Sequence, residues 1–318
     1  MAQSKLIVVA LGGNAISKPD QQGNVAEQFA NSRATARQLA DLIEQGYQLL
    51  VTHGNGPQIG NFLLRNEAGA GLIYPLPMEV AVAHVQGGMG YMIAQTLSNE
   101  LRTRNLDRIV STIITTVLLD RADPAFANPT KPVGRVFDRA DADRFAREGW
   151  HIKEVEPGKF RRVVPSPLPR QIMEIELIRE AVAAGHTLIA CGGGGVPVVR
   201  HDDGDLTGTA AVIDKDLASA LLAAQLGAAA LLILTAIEAV CVNYNRADAR
   251  RLDRMTVSEA RRWLAEGQFP PGSMGPKIQG AIDFLSAETH PDAFVAIGPL
   301  ERALDTLAGR VGTRITHG

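Results

Sequence analysis

The sequence predicts an α/β fold, an open sandwich with a mostly parallel central sheet covered by helices on both faces, and three observations predict it. Short apolar runs at 6–11, 47–52, 187–190, 231–235 and 294–297 are continuous rather than alternating, as in strands buried on both faces. Stretches of helical periodicity separate them, joined by short turns, the pattern of a parallel sheet with crossover helices. Three runs end in glycine-rich turns: Leu11-Gly12-Gly13-Asn14, His53-Gly54-Asn55-Gly56-Pro57 and Cys191-Gly192-Gly193-Gly194-Gly195. Sheets of this kind bind ligands at the carboxyl ends of their strands, where all three turns fall.

The elements follow in order. LIVVAL at 6–11 is the first buried strand. Residues 27–45 form a helix with Phe29, Leu39, Leu42 and Ile43 on one side and Gly46 as its stop. Residues 47–52 give the next strand, and Gly56 opens another helix. A long helix at 80–101 and a strand at 108–116 come next.

The segment 120–170 then breaks the alternation. It carries seven of the chain's 17 prolines and helical periodicity only near 139–148, and from Lys131 to Arg170 ten lysines and arginines face six acids. Composition leaves two readings open, a solvated irregular excursion or a small lid bringing positive charge over an anion site. Alternation resumes with a helix at 171–184 and a strand at 187–190.

The uncharged run 217–237 is long enough to cross a bilayer. Gln225 and Gly227 interrupt it, however, and Asp214 and Asp216 sit where a helix N-terminus favours acids. Helix 214–226, a turn at Gly227 and strand 231–235 account for it without lipid. Helices at 256–266 and 276–285, a strand at 294–297 and a helix at 300–307 complete the chain, with no repeat of solenoid period.

The 318 residues are 46% hydrophobic and 21% charged, as in folded enzymes, so disorder is not expected. A formal charge of −2 gives no general attraction to nucleic acid or to an anionic membrane. Cys191 and Cys241 lack a CxxC partner and read as small buried thiols of a reducing cytosol. The first apolar run stops at Gly12-Gly13, too short for a secretory signal, so a cytoplasmic location is expected.

P-loop, GxGxxG, HExxH and GxSxG motifs are all missing, and no metal-ligating set stands out. What remains is phosphate chemistry. Gly12-Gly13-Asn14 and Gly54-Asn55-Gly56 can offer backbone donors to anions, as can Gly193 and Gly194 in the third turn. Phosphoryl transfer needs alignment and fixed positive charge, and Lys131, Lys215 and Lys277 can supply it.

Lys215 lies between Asp214 and Asp216 at a helix start, where the dipole disfavours a cation, so Asp214 can hold its amine in place. A solvated surface lysine with two acidic neighbours is the other reading. Lys277, after Gly275-Pro276 at another helix start, can grip the distal phosphates of a nucleotide or simply face water. His53 can serve as a general base or, since an ionised acceptor needs none, as a structural hydrogen-bonding residue that shapes the loop, the favoured reading. Thr235-Ala236-Ile237-Glu238 edges a nucleotide pocket or packs in the core.

Taken in order, VVALGGNAI, VTHGNGPQIG, DPAFANPTKPVG, RRVVPSPLPR, CGGGGVPVV, VIDKDLASALLA, LLILTAIEAVCVNY and GSMGPKI resemble the carbamate kinases of the amino-acid-kinase superfamily, collinearly over nearly the whole chain. The resemblance implies interconversion of ATP and carbamate with ADP and carbamoyl phosphate, Mg²⁺ carried with the nucleotide, and a place in arginine metabolism. It implies an eight-stranded α/β/α sandwich, usually a homodimer, with 120–170 as a protruding lid. Residues 1–210 would then form the acceptor half and 211–318 the nucleotide half.

By the same resemblance, the anion-binding loops fall on Gly12, Gly13, Asn14, Gly54 and Asn55, and the lid lysine on Lys131. The transfer lysine and its organising acid fall on Lys215 and Asp214, and the nucleotide-phosphate lysine on Lys277. Thr235, Ala236, Ile237, Tyr244 and Met274 would surround the nucleotide. Relatives acting on acylated amino acids carry a lysine just before the first glycine pair, where this chain has Ala10-Leu11. Two positions depart from the family pattern: Val85 stands before Gln86-Gly87 in place of Ser or Thr, and Ala210-Ala211 precede IDKD without an acid. The rival readings are a kinase of the same superfamily with another small acceptor and a non-catalytic anion-binding protein on this fold.

Overall fold

Continuous apolar strands are placed first, at the centre of the sheet. The computed structural model describes residues 6–18, 20–287, 290 and 292–318, apart from the side chain of Asn14. It begins with β1 (Leu6–Leu11), buried along its whole length. A 3-10 turn at Gly13–Ala15 leads to α1 (Val25–Glu44), started by a reciprocal capping box between Asn24 and Glu27. β2 (Gln48–His53), α2 (Gly56–Gly69) and α3 (Met78–Thr103) follow.

The single strand expected at 108–116 is two strands in different sheets, β3 (Val110–Thr112) and β4 (Thr116–Leu119). Buried Gln86 of α3 causes the break. Its Oε1 accepts from the Thr115 N–H at 3.0 Å, which keeps that N–H out of any ladder, and its Nε2 donates at 3.1 Å to the Thr115 carbonyl, which also takes the Val196 N–H as the β10–β4 pairing begins. Val85 beside it lies in the core.

The segment 120–170 is ordered rather than irregular. β5 (Lys131–Phe137), α4 (Arg139–Arg147), β6 (Ile152–Glu156) and β7 (Lys159–Val164) build an antiparallel sheet in the order β5-β7-β6 with one helix against it. Phe137, Ala142, Phe145 and Phe160 give this lid its own small core, with Trp150 stacked on Phe145 at 4.4 Å.

The helix expected from 171 starts later. β8 (Pro169–Ile172) first pairs with β4, and the Glu174 carboxylate accepts from both the N–H and the hydroxyl of Thr116 before α5 (Ile175–Ala183) begins. Then come β9 (Thr187–Ile189), β10 (Val196–Arg200), β11 (Leu206–Gly208), α6 (Lys215–Gln225) and β12 (Ala230–Thr235). The uncharged run is thus helix, turn and strand, and no helix among the described residues is long and apolar enough to span a membrane.

β13 (Val240–Val242), β14 (Arg250–Leu252), β15 (Arg254–Thr256), α7 (Val257–Ala265) and α8 (Met274–Ser286) precede β16 (Phe294–Pro299). A 3-10 turn, α9 (Ala303–Leu307) and β17 (Thr313–Thr316) end the chain.

The large sheet has eight strands in the order β15-β17-β16-β12-β1-β2-β9-β3, parallel throughout except for β16–β17. Side chains of β1 alternate between its two faces. Leu6, Val8 and Ala10 join one core with α6, α7 and α8, while Ile7, Val9 and Leu11 join the other with α1 and α3.

Candidate active site

A cleft of about 720 Å³ opens at the carboxyl ends of β1 and β2, below the lid. The three lysines singled out from the sequence all line it, with Gly13, Gly54, Asn55 and Gly193. Lys131 Nζ donates to Asp214 Oδ2 at 2.8 Å, tying the lid to the start of α6. Lys215 and Lys277 donate to the two oxygens of Asp216, each at 2.9 Å.

The expectation that Asp214 organises Lys215 is therefore corrected: Asp216 does so. Asp214 is already committed, since its Oδ1 caps α6 by accepting from the Asp216 N–H at 2.9 Å and its Oδ2 takes Lys131. Asp216 is 3% exposed. Burial alone would raise its pKa, but the charges of Lys215 and Lys277 outweigh that and hold the carboxyl below its ordinary range. Burial pushes the Lys215 ammonium down, and the Lys277 charge adds to that; Asp216 opposes both only in part. The first turn of α6 is braced from beneath, where Ser219 Oγ donates to the Lys215 carbonyl at 2.6 Å and meets Thr52 Oγ1 at 2.6 Å.

Not every predicted glycine donor faces the cleft. The Gly12 N–H donates to Leu234 O at 2.9 Å and the Gly54 N–H to Leu11 O at 3.0 Å, so both extend the parallel ladder instead of meeting an anion. Their value is lack of bulk. A Cβ on Gly12 would stand 3.0 Å from Leu234 O, and one on Gly54 would press on the Lys215 stem at 3.2 Å. The amides of Gly13, Asn55 and Gly56 donate to no acceptor among the described residues, and the last two begin α2 with its positive dipole end. The backbone of Asn14 lies in the 3-10 turn, and its side chain lies outside the described residues.

In the third turn Gly193, at φ +65°, lines the cleft with the Asn55 amide lying where its Cβ would be. Gly194 is a correction, because it does not reach the cleft. Its N–H donates to Cys191 O at 3.0 Å, and it packs against the Ile213 carbonyl just before α6. His53 is buried under Gly192 and donates from Nδ1 to Gly54 O at 3.1 Å. Burial, aided by the Lys215 charge, lowers its pKa to about 4, so the ring is neutral and shapes the loop.

Two smaller cavities continue from the cleft. One of about 320 Å³ is bounded by Gly12, Gly13, Lys215, Thr235, Ala236 and Lys277. The other, about 340 Å³, is bounded by Ile237, Cys241, Tyr244, Phe269 and Met274, and shares Ser273 with the cleft. The five expected nucleotide residues thus divide between a pocket that holds Lys215 and Lys277 and one that sets apolar side chains beside Glu238 and Arg251. Cys191 is buried, but Cys241 is only half-buried, contrary to expectation. Phe269 and the lid arginine Arg161 were not singled out from the sequence, and Asp216 was read there only as a helix-start acid beside Lys215. Among the described residues no three carboxylate, imidazole or thiol groups are placed to hold a metal ion.

Residues 5–292 match the model of the Amino acid kinase family. The chain is 46% identical over 314 residues to the carbamate kinase of Pyrococcus furiosus, covering 98% of this chain and 99% of that one. It is 42% identical to the carbamate kinase of Clostridium perfringens over 316 residues, covering 97% and 99%. A solved structure of carbamate kinase from Giardia lamblia bound to AMP-PNP superposes with a TM-score of 0.92 at 38% identity, over 99% of each chain.

Proposed function

The chain belongs to the amino acid kinase family, and on that premise we propose that it catalyses reversible phosphoryl transfer between ATP and carbamate, giving ADP and carbamoyl phosphate. One observation carries the reading. Lys215 and Lys277, clamped on a single carboxylate, border both the cleft under the lid and the cavity of Thr235 and Ala236. A phosphoryl group passing between acceptor and nucleotide crosses that bridge.

The transfer is direct. Starting from carbamoyl phosphate, a β-phosphate oxygen of ADP attacks phosphorus, the bond from phosphorus to the carbamoyl oxygen breaks, and carbamate leaves as an anion. No proton need move, which suits a site whose histidine is buried, neutral and hydrogen-bonded to the loop. Lys215 meets the negative charge on the transferring group, Lys277 steadies the nucleotide phosphates, and Lys131 approaches from the lid. The amides of Gly13, Asn55 and Gly56 orient the acceptor side.

The divalent cation of this reading, Mg²⁺, enters as part of the nucleotide substrate, carried on its phosphates. Asp216, the more buried of the two carboxylates lining the cleft, is occupied by two lysines. The reading further takes the enzyme to be a cytoplasmic homodimer acting in arginine metabolism, with acceptor and nucleotide halves meeting near residue 210. These follow from the family resemblance.

The test is ATP formation from carbamoyl phosphate and Mg·ADP. Lys215→Ala is expected to lower turnover by about a thousandfold or more while leaving the fold intact, the loss typical of a transition-state cation. A folded wild-type protein that binds ADP but makes no ATP would remove carbamate as the acceptor.

A further inference from the structure

Two lid arginines line the cleft, and they differ in how their charge is met. Arg135 is spent, with Nε on Glu67 at 2.9 Å and Nη2 on Asp141 at 2.8 Å. Arg161 of β7 makes no ion pair among the described residues. Its Nη2 donates to the Gly134 carbonyl at 2.8 Å, which fixes the plane of the guanidinium, while its Nε is buried with no partner at all. Burial lowers its pKa with no carboxylate to compensate. A half-buried cation whose charge no carboxylate meets is completed by an anion that enters the cleft beside it.

Its position says which anion. Successive residues of a strand point to opposite faces. Arg161 enters the cleft with Lys131 and Lys215, while Arg162 turns to the cavity behind the lid and lies over the Trp150 ring. Arg161 borders neither the pocket of Thr235 and Ala236 nor that of Ile237, Tyr244 and Met274. It therefore sits on the acceptor side of the cleft, outside both of those pockets. A guanidinium fork matches a planar, resonance-delocalised carboxylate-type group, which a point-charged lysine does not.

We propose that Arg161 is a specificity-determining residue that binds the planar carbamoyl end of the acceptor. This rests on the reading of the reaction given above. In that role it orients the leaving carbamate in line with the bridge formed by Lys215 and Lys277, and it recognises the acceptor by shape as well as charge.

Steady-state kinetics in the ATP-forming direction tests it, with Arg161→Lys and Arg161→Gln beside the wild type and melting temperatures as the check on folding. Losing a charge-assisted hydrogen bond to a buried ligand should raise the KM for carbamoyl phosphate about ten- to hundredfold in Arg161→Gln. The KM for ADP should stay within about twofold of wild type, because Arg161 lines neither pocket assigned to the nucleotide. Arg161→Lys should recover only part of the loss, since it restores charge without the fork. An unchanged KM for carbamoyl phosphate, or an equal rise for ADP, would overturn the proposal.

Should the wild type make no ATP, the reading of the reaction falls and calorimetry with inorganic phosphate decides the arginine separately. Binding heat that disappears in Arg161→Gln keeps Arg161 as an anion-holding residue. Equal heats in the two proteins remove it.

Discussion

At the scale of single residues, the chemistry rests on which carboxylate each lysine reaches. In Asp214-Lys215-Asp216 the first acid starts the helix and meets the lid, and the second, inside the first turn, is the one that two ammonium groups share. Asp216 thereby sets both the position and the protonation of Lys215. Burial lowers the Lys215 pKa, so activity that needs the ammonium is lost, as pH rises, earlier than for an ordinary lysine. Asp216 is what limits that fall. In Asp216→Asn the supporting charge is gone while shape is nearly kept, so the Lys215 pKa drops further and the alkaline limb of the kcat profile moves to lower pH. With both lysines loosened, kcat at neutral pH should fall on the order of a hundredfold, as when one preorganised donor is lost. A pH–rate profile measured on both proteins checks this, and an unmoved alkaline limb would show that Asp216 does not control the lysine.

At the scale of elements, the lid has a core of its own and is tied to the body where Val133 and Val164 pack with Leu63 and Met78 and where Lys131 and Arg135 pair with Asp214 and Glu67. Its core of Phe137, Ala142, Phe145 and Phe160 is distinct from the two cores flanking the large sheet. Phe145→Ala removes the ring on which Trp150 stacks and should cost the lid about 3–5 kcal/mol. Hydrogen exchange should then rise across β5–β7 while the amides of β1, β2 and β12 stay protected, and the KM for carbamoyl phosphate should climb. Exchange rising equally in β1 would contradict an independent lid. That 120–170 breaks the alternation was legible from prolines and charge, which left a lid and an irregular excursion both open. Its order was not legible, because β6 and β7 carry charged residues whose strand pairing comes from each other rather than from a buried run. The same limit hid β13, β14, β15 and β17, each three or four residues long. Continuous apolar strands such as β1 and β12 were legible because burial on both faces leaves no alternative composition. The 108–116 strand misled because Gln86, distant in sequence, cuts it at Thr115. The choice between Asp214 and Asp216 was illegible for a similar reason. It depends on which acid the helix cap and Lys131 have already taken.

At the scale of the whole molecule, the site lies where the sheet changes hands. Strands β3, β9, β2 and β1 come from the chain before residue 210, and β12, β16, β17 and β15 from the chain after it, so β1–β12 is the seam. The chain leaving β1 passes to helices on one face and the chain leaving β12 to helices on the other, which opens a crevice at their carboxyl ends. Yet the seam is not a loose joint, because five residue pairs align across β1–β12 and both flanking cores run through it. The sheet and its helices should therefore unfold together, in one calorimetric transition outside the lid. Saturation with Mg·ADP at about a hundred times its Kd should add about 2.7 kcal/mol and move that whole transition up by a few degrees. Two resolved transitions in the body, only one of them shifted by nucleotide, would mean that the acceptor and nucleotide halves fold separately. The lysine bridge would then be assembled only when substrates draw the halves together, rather than built in advance by the seam.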